Sequence, residues 1–168
     1  NVLNVFSYTG GFSVYALKNG ASKVVSVDLS ADAIEMANKN AELNGVSTNH
    51  EGYAVDAFEY LKNEAINYDV VVLDPPAFAK RKKQKNTALN AYMKLAKAGA
   101  KVTKKGGLLF AASCSVHVSP ASFFKNVFLG IKSAGHRFEE ISRTGHAKDH
   151  PFISSEWQYL KGVFCRIT

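Results

Sequence analysis

Cysteine is nearly absent: the 168-residue chain has two, Cys114 and Cys165. Two thiols cannot build a disulfide framework, which excludes the stapled scaffolds of small secreted proteins. A reducing compartment, and so a cytoplasmic location, is expected. Long apolar runs are absent too. The longest uninterrupted aliphatic stretch, Val70 to Leu73, falls far short of the ~18 residues a membrane helix needs, so no membrane partner is expected. With 46% hydrophobic and 21% charged residues, and only 4 prolines, the chain is neither a disordered tail nor a collagen-like or low-complexity sequence. No H-E-x-x-H and no paired-cysteine spacing occurs. His117, His146 and His150 are therefore not read as ligands, and no metal is expected. An initiator methionine is missing as well: Asn1 already lies in an apolar, strand-like run. The chain is read as a fragment, so the lack of a targeting signal carries no weight.

Acid is missing from one long stretch. Residues 80–105 hold 10 Lys/Arg and no Asp/Glu, whereas residues 1–79 hold 4 Lys/Arg against 10 Asp/Glu. The net charge of +7 thus comes from a basic block behind an acidic half, the footprint of a polyanionic partner. A run of lysines is often only a solvated helix face. Here Lys80, Arg81, Lys82, Lys83 and Lys85 directly follow a candidate active-site motif, which favours nucleic acid.

What is present alternates. Strands are expected at Val2–Phe6, Lys23–Asp28, Tyr53–Val55, Tyr68–Leu73, Gly107–Ala112, Arg137–Ser142 and Tyr159–Ile167. Helical patterns separate most of them: Ser30–Asn44, capped by Ser30 and stopped by Asn44-Gly45; Ala57–Glu64; Ala88–Lys104; and Pro120–Ser133. Such alternation predicts an α/β fold, a mostly parallel Rossmann-like sheet with helices on both faces. The last two strands lack a helix between them, so the final strand should run antiparallel. One domain over residues 1–168 is expected.

The first strand runs into Phe6-Ser7-Tyr8-Thr9-Gly10-Gly11-Phe12. Glycines here let the backbone approach a ligand, but the pattern is not G-x-G-x-x-G. A loop not tuned to pyrophosphate suits a cofactor such as S-adenosylmethionine. Asp28, followed by Leu29, ends the second strand, where a carboxylate accepts both ribose hydroxyls. Asp56 and the Ala57 amide are candidates for the adenine edge, with a plain helix cap as an equal reading of Asp56. The fourth strand ends in Asp74-Pro75-Pro76-Ala77-Phe78. Proline holds the preceding residue extended and offers no N–H, so this edge presents acceptors to a planar base on which Phe78 could stack. The fifth strand ends in Ser113-Cys114-Ser115. A thiolate beside Asp74 could attack carbon 6 of a pyrimidine and render carbon 5 nucleophilic. Cys165, mid-strand in Val163–Ile167, reads as a core thiol.

In this order, together with Asp149-His150-Pro151 and Tyr159-Leu160-Lys161, these motifs resemble the catalytic domain of class I S-adenosylmethionine-dependent methyltransferases. Within that class the chain is most similar to the bacterial large-subunit ribosomal RNA cytosine-5 methyltransferase I group. The resemblance implies that the loop around Tyr8–Phe12 binds the methionine end of the donor, Asp28 the ribose and Asp56 the adenine. It further implies that Asp74 contacts cytosine and Cys114 is the covalent nucleophile. Asp74 is expected to border the cofactor as well, and Pro75, Pro76, Phe78, Lys80, Arg81, Lys82 and Lys83 are read from their place behind it as the RNA-binding residues. Members of the group also carry an N-terminal PUA domain, a β-rich linker domain and structure before the first strand. If these are missing, one side of the sheet is left partly uncovered. Other readings are an amino-group methyltransferase using the Asp-Pro-Pro edge, a dinucleotide-dependent oxidoreductase, and a non-catalytic RNA-binding module. The oligomeric state is left open, a homodimer included.

Overall fold

The computed structural model describes residues 1–65, 67–147 and 159–168. Seven strands form one sheet in the order β3-β2-β1-β4-β5-β7-β6. They are β1 (Val2–Val5), β2 (Val24–Asp28), β3 (His50–Ala54), β4 (Tyr68–Leu73), β5 (Thr103–Ser113), β6 (Phe138–Thr144) and β7 (Lys161–Ile167). The first five strands are parallel, and β7 runs antiparallel between β5 and β6. Strand order reverses between β1 and β4, so a crevice opens at their carboxyl ends. Ligands enter open α/β sheets at such a switch point.

Five helices connect the strands: α1 (Gly11–Lys18), α2 (Ala31–Leu43), α3 (Ala57–Asn63), α4 (Lys85–Lys101) and α5 (Pro120–Ser133). The local signals are physical. Ser30 caps α2 by accepting from the Ala33 amide, and Ser119 caps α5 by accepting from the Ser122 amide, with Pro120 in the first turn. Val5, Leu73, Leu109 and Val163 point from the sheet into a core closed by Tyr92, Leu95 and Ala96 of α4 and by Phe123, Val127 and Ile131 of α5. Gly130 lets α5 sit against α4: a Cβ there would lie 2.4 Å from the Met93 carbonyl oxygen. On the other face, Phe12 and Tyr15 of α1 and Val70 and Val72 of β4 line an open groove.

Several boundaries differ from the expected ones. β3 begins at His50 rather than Tyr53. It is an edge strand with mostly exposed side chains, so it lacks the apolar alternation that marks a strand. Helix α4 spans Lys85–Lys101 rather than Ala88–Lys104, and β5 begins at Thr103, ahead of Gly106-Gly107. The glycines do not end the helix. They sit where the β4–β5 register shifts between Tyr68 and Val70, as a bulge requires. Tyr159 and Leu160 precede β7 rather than belonging to it. The expected Asp149-His150-Pro151 loop lies outside the described residues.

Candidate active site

Four strands deliver the site from one edge. Because β1, β2, β4 and β5 are parallel, the Gly10 loop, Asp28, Asp74 and Cys114 all follow carboxyl ends. The loop after β1 is strained: Phe6, Tyr8 and Gly10 have φ of 62°, 47° and 81°. Left-handed geometry at two aromatic residues costs energy, and such backbone clusters at ligand sites. Gly10 is required twice over, since its φ is positive and a Cβ would meet that of Ala37 at 2.9 Å. Asn40 of α2 pins the same loop, its Nδ2 donating to the Thr9 carbonyl at 2.8 Å.

Asp28 is the clamp. Its Oδ2 accepts from the Tyr8 amide at 2.9 Å and its Oδ1 from the Ser30 amide at 3.0 Å. A carboxylate has about four acceptor sites, so capacity remains for two hydroxyls of a ligand. Leu29 and Tyr8 stand exposed on either side of this carboxylate's neighbourhood, and Phe12 is half exposed. Asp56 caps α3: its Oδ1 accepts from the Phe58 and Glu59 amides, which leaves Oδ2 and the Ala57 amide available. Cap and ligand roles are therefore compatible at this residue. Within the loop, the Ser7 hydroxyl is buried with no partner among the described residues. Strained loop, clamped carboxylate with spare acceptors and orphan hydroxyl together fit the adenosyl methyl donor implied by the sequence.

Asp74 stands exposed at the crevice, yet enough protein surrounds its carboxyl that burial raises its pKa. Pro75 is buried and Pro76 exposed. Phe78, expected as a base-stacking platform, also packs within the protein. Its half-buried ring packs edge-on to Phe6 (6.3 Å between centroids) and against Tyr92 (4.8 Å), so it buttresses the loops. Lys80, Arg81, Lys82 and Lys83 are exposed, on a turn held by Gln84, whose Oε1 accepts from the Lys80 and Arg81 amides at 3.0 Å.

Cys114 is set by its neighbours. Ser113 and Ser115 are buried and point at α4. The Ser113 hydroxyl donates to the Tyr92 hydroxyl at 2.9 Å, and the Tyr92 and Ser115 hydroxyls are 2.9 Å apart. The Ser115 amide donates to Ser113 Oγ at 3.2 Å, and the Ala79 amide to Ser115 Oγ at 3.4 Å. With both serines turned inward, Cys114 is left half-buried at the end of β5. Burial raises the pKa of its thiol, and the Asp74 carboxylate adds to the rise; Lys161 and the Ala77 amide oppose it. Cys165, by contrast, is fully buried, and burial pushes its thiol up to about 12.

Two features were not legible as site residues. Lys161, on β7 opposite Ser113, is only 4% exposed. Its Nζ donates to the Ser115 and Tyr159 carbonyls at 2.7 and 3.0 Å, and burial lowers its pKa to about 8. A polar chain, Asn4–Ser13–Ser26–His50, runs beneath the donor loop through contacts of 2.9, 2.7 and 2.7 Å. The one available signal was polar residues at inward positions of apolar strands, Asn4 in β1 and Ser26 in β2.

The fold and this edge define a nucleoside-binding transferase domain, and residues 1–141 match the S-adenosylmethionine-dependent methyltransferase family. The chain belongs to that family. It is 42% identical to a ribosomal RNA large subunit methyltransferase of Deinococcus radiodurans over 99% of its length, and 40% identical to the ribosomal RNA large subunit methyltransferase I of Aeromonas salmonicida over 98%. It spans 42% and 43% of those two proteins. Among solved structures it resembles an S-adenosylmethionine-dependent methyltransferase from Streptococcus mutans, with a TM-score of 0.86 at 26% identity, covering 98% of this chain and 44% of that one. A methyltransferase complexed with SAH, SMU.776, gives a TM-score of 0.85 at 27% identity, with 98% and 44% covered.

Proposed function

We propose that this chain is the catalytic domain of an enzyme that methylates carbon 5 of a cytosine in large-subunit ribosomal RNA through a covalent adduct on Cys114. The observation that carries the reading is the placement of Cys114. It directly follows β5, between two inward-facing serines, is not sealed in the core, and lies within electrostatic reach of Asp74 at the end of the neighbouring strand β4. The names of the relatives supply the RNA.

When bound, the donor supplies a methyl group activated by the positive charge of its sulfonium. Phe6, Tyr8, Thr9, Gly10, Gly11 and Phe12 form the loop that receives its methionine end, Asp28 and Leu29 flank the ribose, and Asp56 and Ala57 the adenine. Asp74 faces the pyrimidine. Burial raises its pKa, so its carboxylate can take the proton of the Cys114 thiol and pass it to the ring nitrogen as Sγ bonds to carbon 6. Carbon 5 then carries the electron pair that takes the methyl group. Loss of the carbon-5 proton to a base restores the double bond and expels the thiolate, and the ring nitrogen returns its proton to Asp74. Pro75 and Pro76 add carbonyl acceptors for the amino edge, and Lys80, Arg81, Lys82 and Lys83 meet phosphate. The ribosomal substrate implies the cytoplasm, and the remainder of a full-length enzyme is left to deliver the RNA.

A second reading, transfer to an exocyclic amino group, is favoured by the raised thiol pKa, because that reaction needs acceptors from Asp74-Pro75-Pro76 and no nucleophile. Replacing Cys114 by Ala separates the two. Loss of methylation with SAH binding intact supports the covalent route, whereas a Cys114→Ala variant that still yields 5-methylcytidine by nucleoside mass spectrometry refutes it.

A further inference from the structure

Lys161 is a buried cation that meets no carboxylate among the described residues. Among the described residues it forms no salt bridge, and its ammonium spends two of three donors on the Ser115 and Tyr159 carbonyls. Charged groups are rarely buried this far unless paired, since desolvation is costly. A methionine or leucine would fill the same inward position of β7 at no such cost. The lysine therefore needs a reason, and its position offers one. It faces Ser113 across the β5–β7 ladder and holds the carbonyl immediately after Cys114.

We propose that Lys161 is a positioning residue for Cys114: its ammonium fixes the turn that presents the sulfur and supplies the positive charge that the sulfur needs once its proton has left into the crevice. The inference deepens the covalent reading above and rests on it for its purpose. Among the described residues, the groups around the pair are Asp74 from the end of β4, Tyr92 from α4, and His146 and Tyr159 ahead of β7. Of these, Asp74 opposes ionisation of the thiol, and Lys161 is the side chain that favours it. The two act as a balance on a thiol that burial already holds protonated: the carboxylate adds to that hold, and the ammonium opposes it once the substrate has neutralised or covered the carboxylate.

The test is the pH profile of Cys114 alkylation by iodoacetamide, followed on the Cys114 peptide by mass spectrometry, without RNA. Lys161→Met and Lys161→Gln should each raise the midpoint by about one pH unit, so that alkylation at pH 7.5 slows about tenfold. Lys161→Arg, which keeps the charge, should stay within about threefold of the unmodified protein, and Asp74→Asn should move the midpoint down. SAH affinity checks the fold of each variant. If Lys161→Met does not fold, Lys161→Gln carries the test, because it removes the charge while keeping a polar donor, on a side chain one bond shorter. A folded Lys161→Gln protein with an unshifted profile overturns the proposal. The carbon-5 reading fails separately, by the identity of the methylated nucleoside, and an amino-methylated product would leave a shifted thiol profile standing.

Discussion

Replacing Tyr92 by Phe removes one oxygen atom and isolates the part of the structure that turns Cys114 outward. That oxygen accepts from Ser113 Oγ and is 2.9 Å from Ser115 Oγ. All three side chains are buried. Two hydrogen bonds vanish, each worth about 0.5–1.5 kcal/mol net, and hydroxyls deprived of a partner add a desolvation penalty of about 1–3 kcal/mol. Both serines keep one amide as donor, which softens the penalty, so a loss of about 2–4 kcal/mol is expected. Urea unfolding should show it as a lower midpoint with an unchanged slope. Tyr15→Phe is the control: that side chain is 76% exposed, and a change within about 0.5 kcal/mol is expected. SAH affinity should hold in Tyr92→Phe while methylation falls, because the donor loop is untouched and the Ser-Cys-Ser turn is not. A Tyr92→Phe protein as stable as its parent would refute the idea that this hydroxyl network sets the cysteine.

Three other outcomes are expected. Asp28→Ala should weaken SAH binding about 10–100-fold by calorimetry, since it removes charged acceptors of the kind worth about 1.5–3 kcal/mol each and unpins the Tyr8 amide; unchanged affinity would displace the donor site. His50 is half-buried and burial lowers its pKa, so the unfolded chain binds the proton more readily. Stability is therefore full above about pH 6.5 and falls as pH drops toward the folded-state value; unfolding free energies at stepped pH should lose that slope in His50→Gln. Changing Lys80, Arg81, Lys82 and Lys83 together to Gln should weaken binding to a ribosomal RNA fragment and flatten its salt dependence, leaving SAH affinity alone; an unaltered salt slope would remove the RNA from this turn.

Asp28, Asp74 and Cys114 were legible because each ends a run of β-branched or aliphatic residues, and a polar group at a strand's carboxyl end in an alternating α/β pattern has one natural reading. Gly10 was legible from the loop chemistry. How far the Phe78 ring is covered was not legible, because burial of an aromatic ring depends on what lies across the crevice, here Phe6 and Tyr92, both distant in sequence. Asp56 stayed ambiguous for a sound reason: one carboxylate can cap a helix with one oxygen and keep the other. Lys161 was singled out only within the Tyr159-Leu160-Lys161 motif and given no place in the site, since a lysine on a terminal strand is ordinarily read as solvated and only the antiparallel pairing of β7 with β5 buries it. The start of β5 was hidden by Lys104, Lys105 and two glycines, which resemble a helix end more than a bulged strand.

The serine–cysteine–serine turn makes the chemistry hostage to parity. Successive residues of a strand face opposite ways, so losing or gaining a single residue between Leu108 and Ser113 would turn the sulfur into the protein and expose a hydroxyl in its stead, with the hydrophobic content almost unchanged. Insertions in this stretch should be tolerated only in twos, or upstream, where the irregular pairing around Tyr68 and Val70 can absorb an odd one.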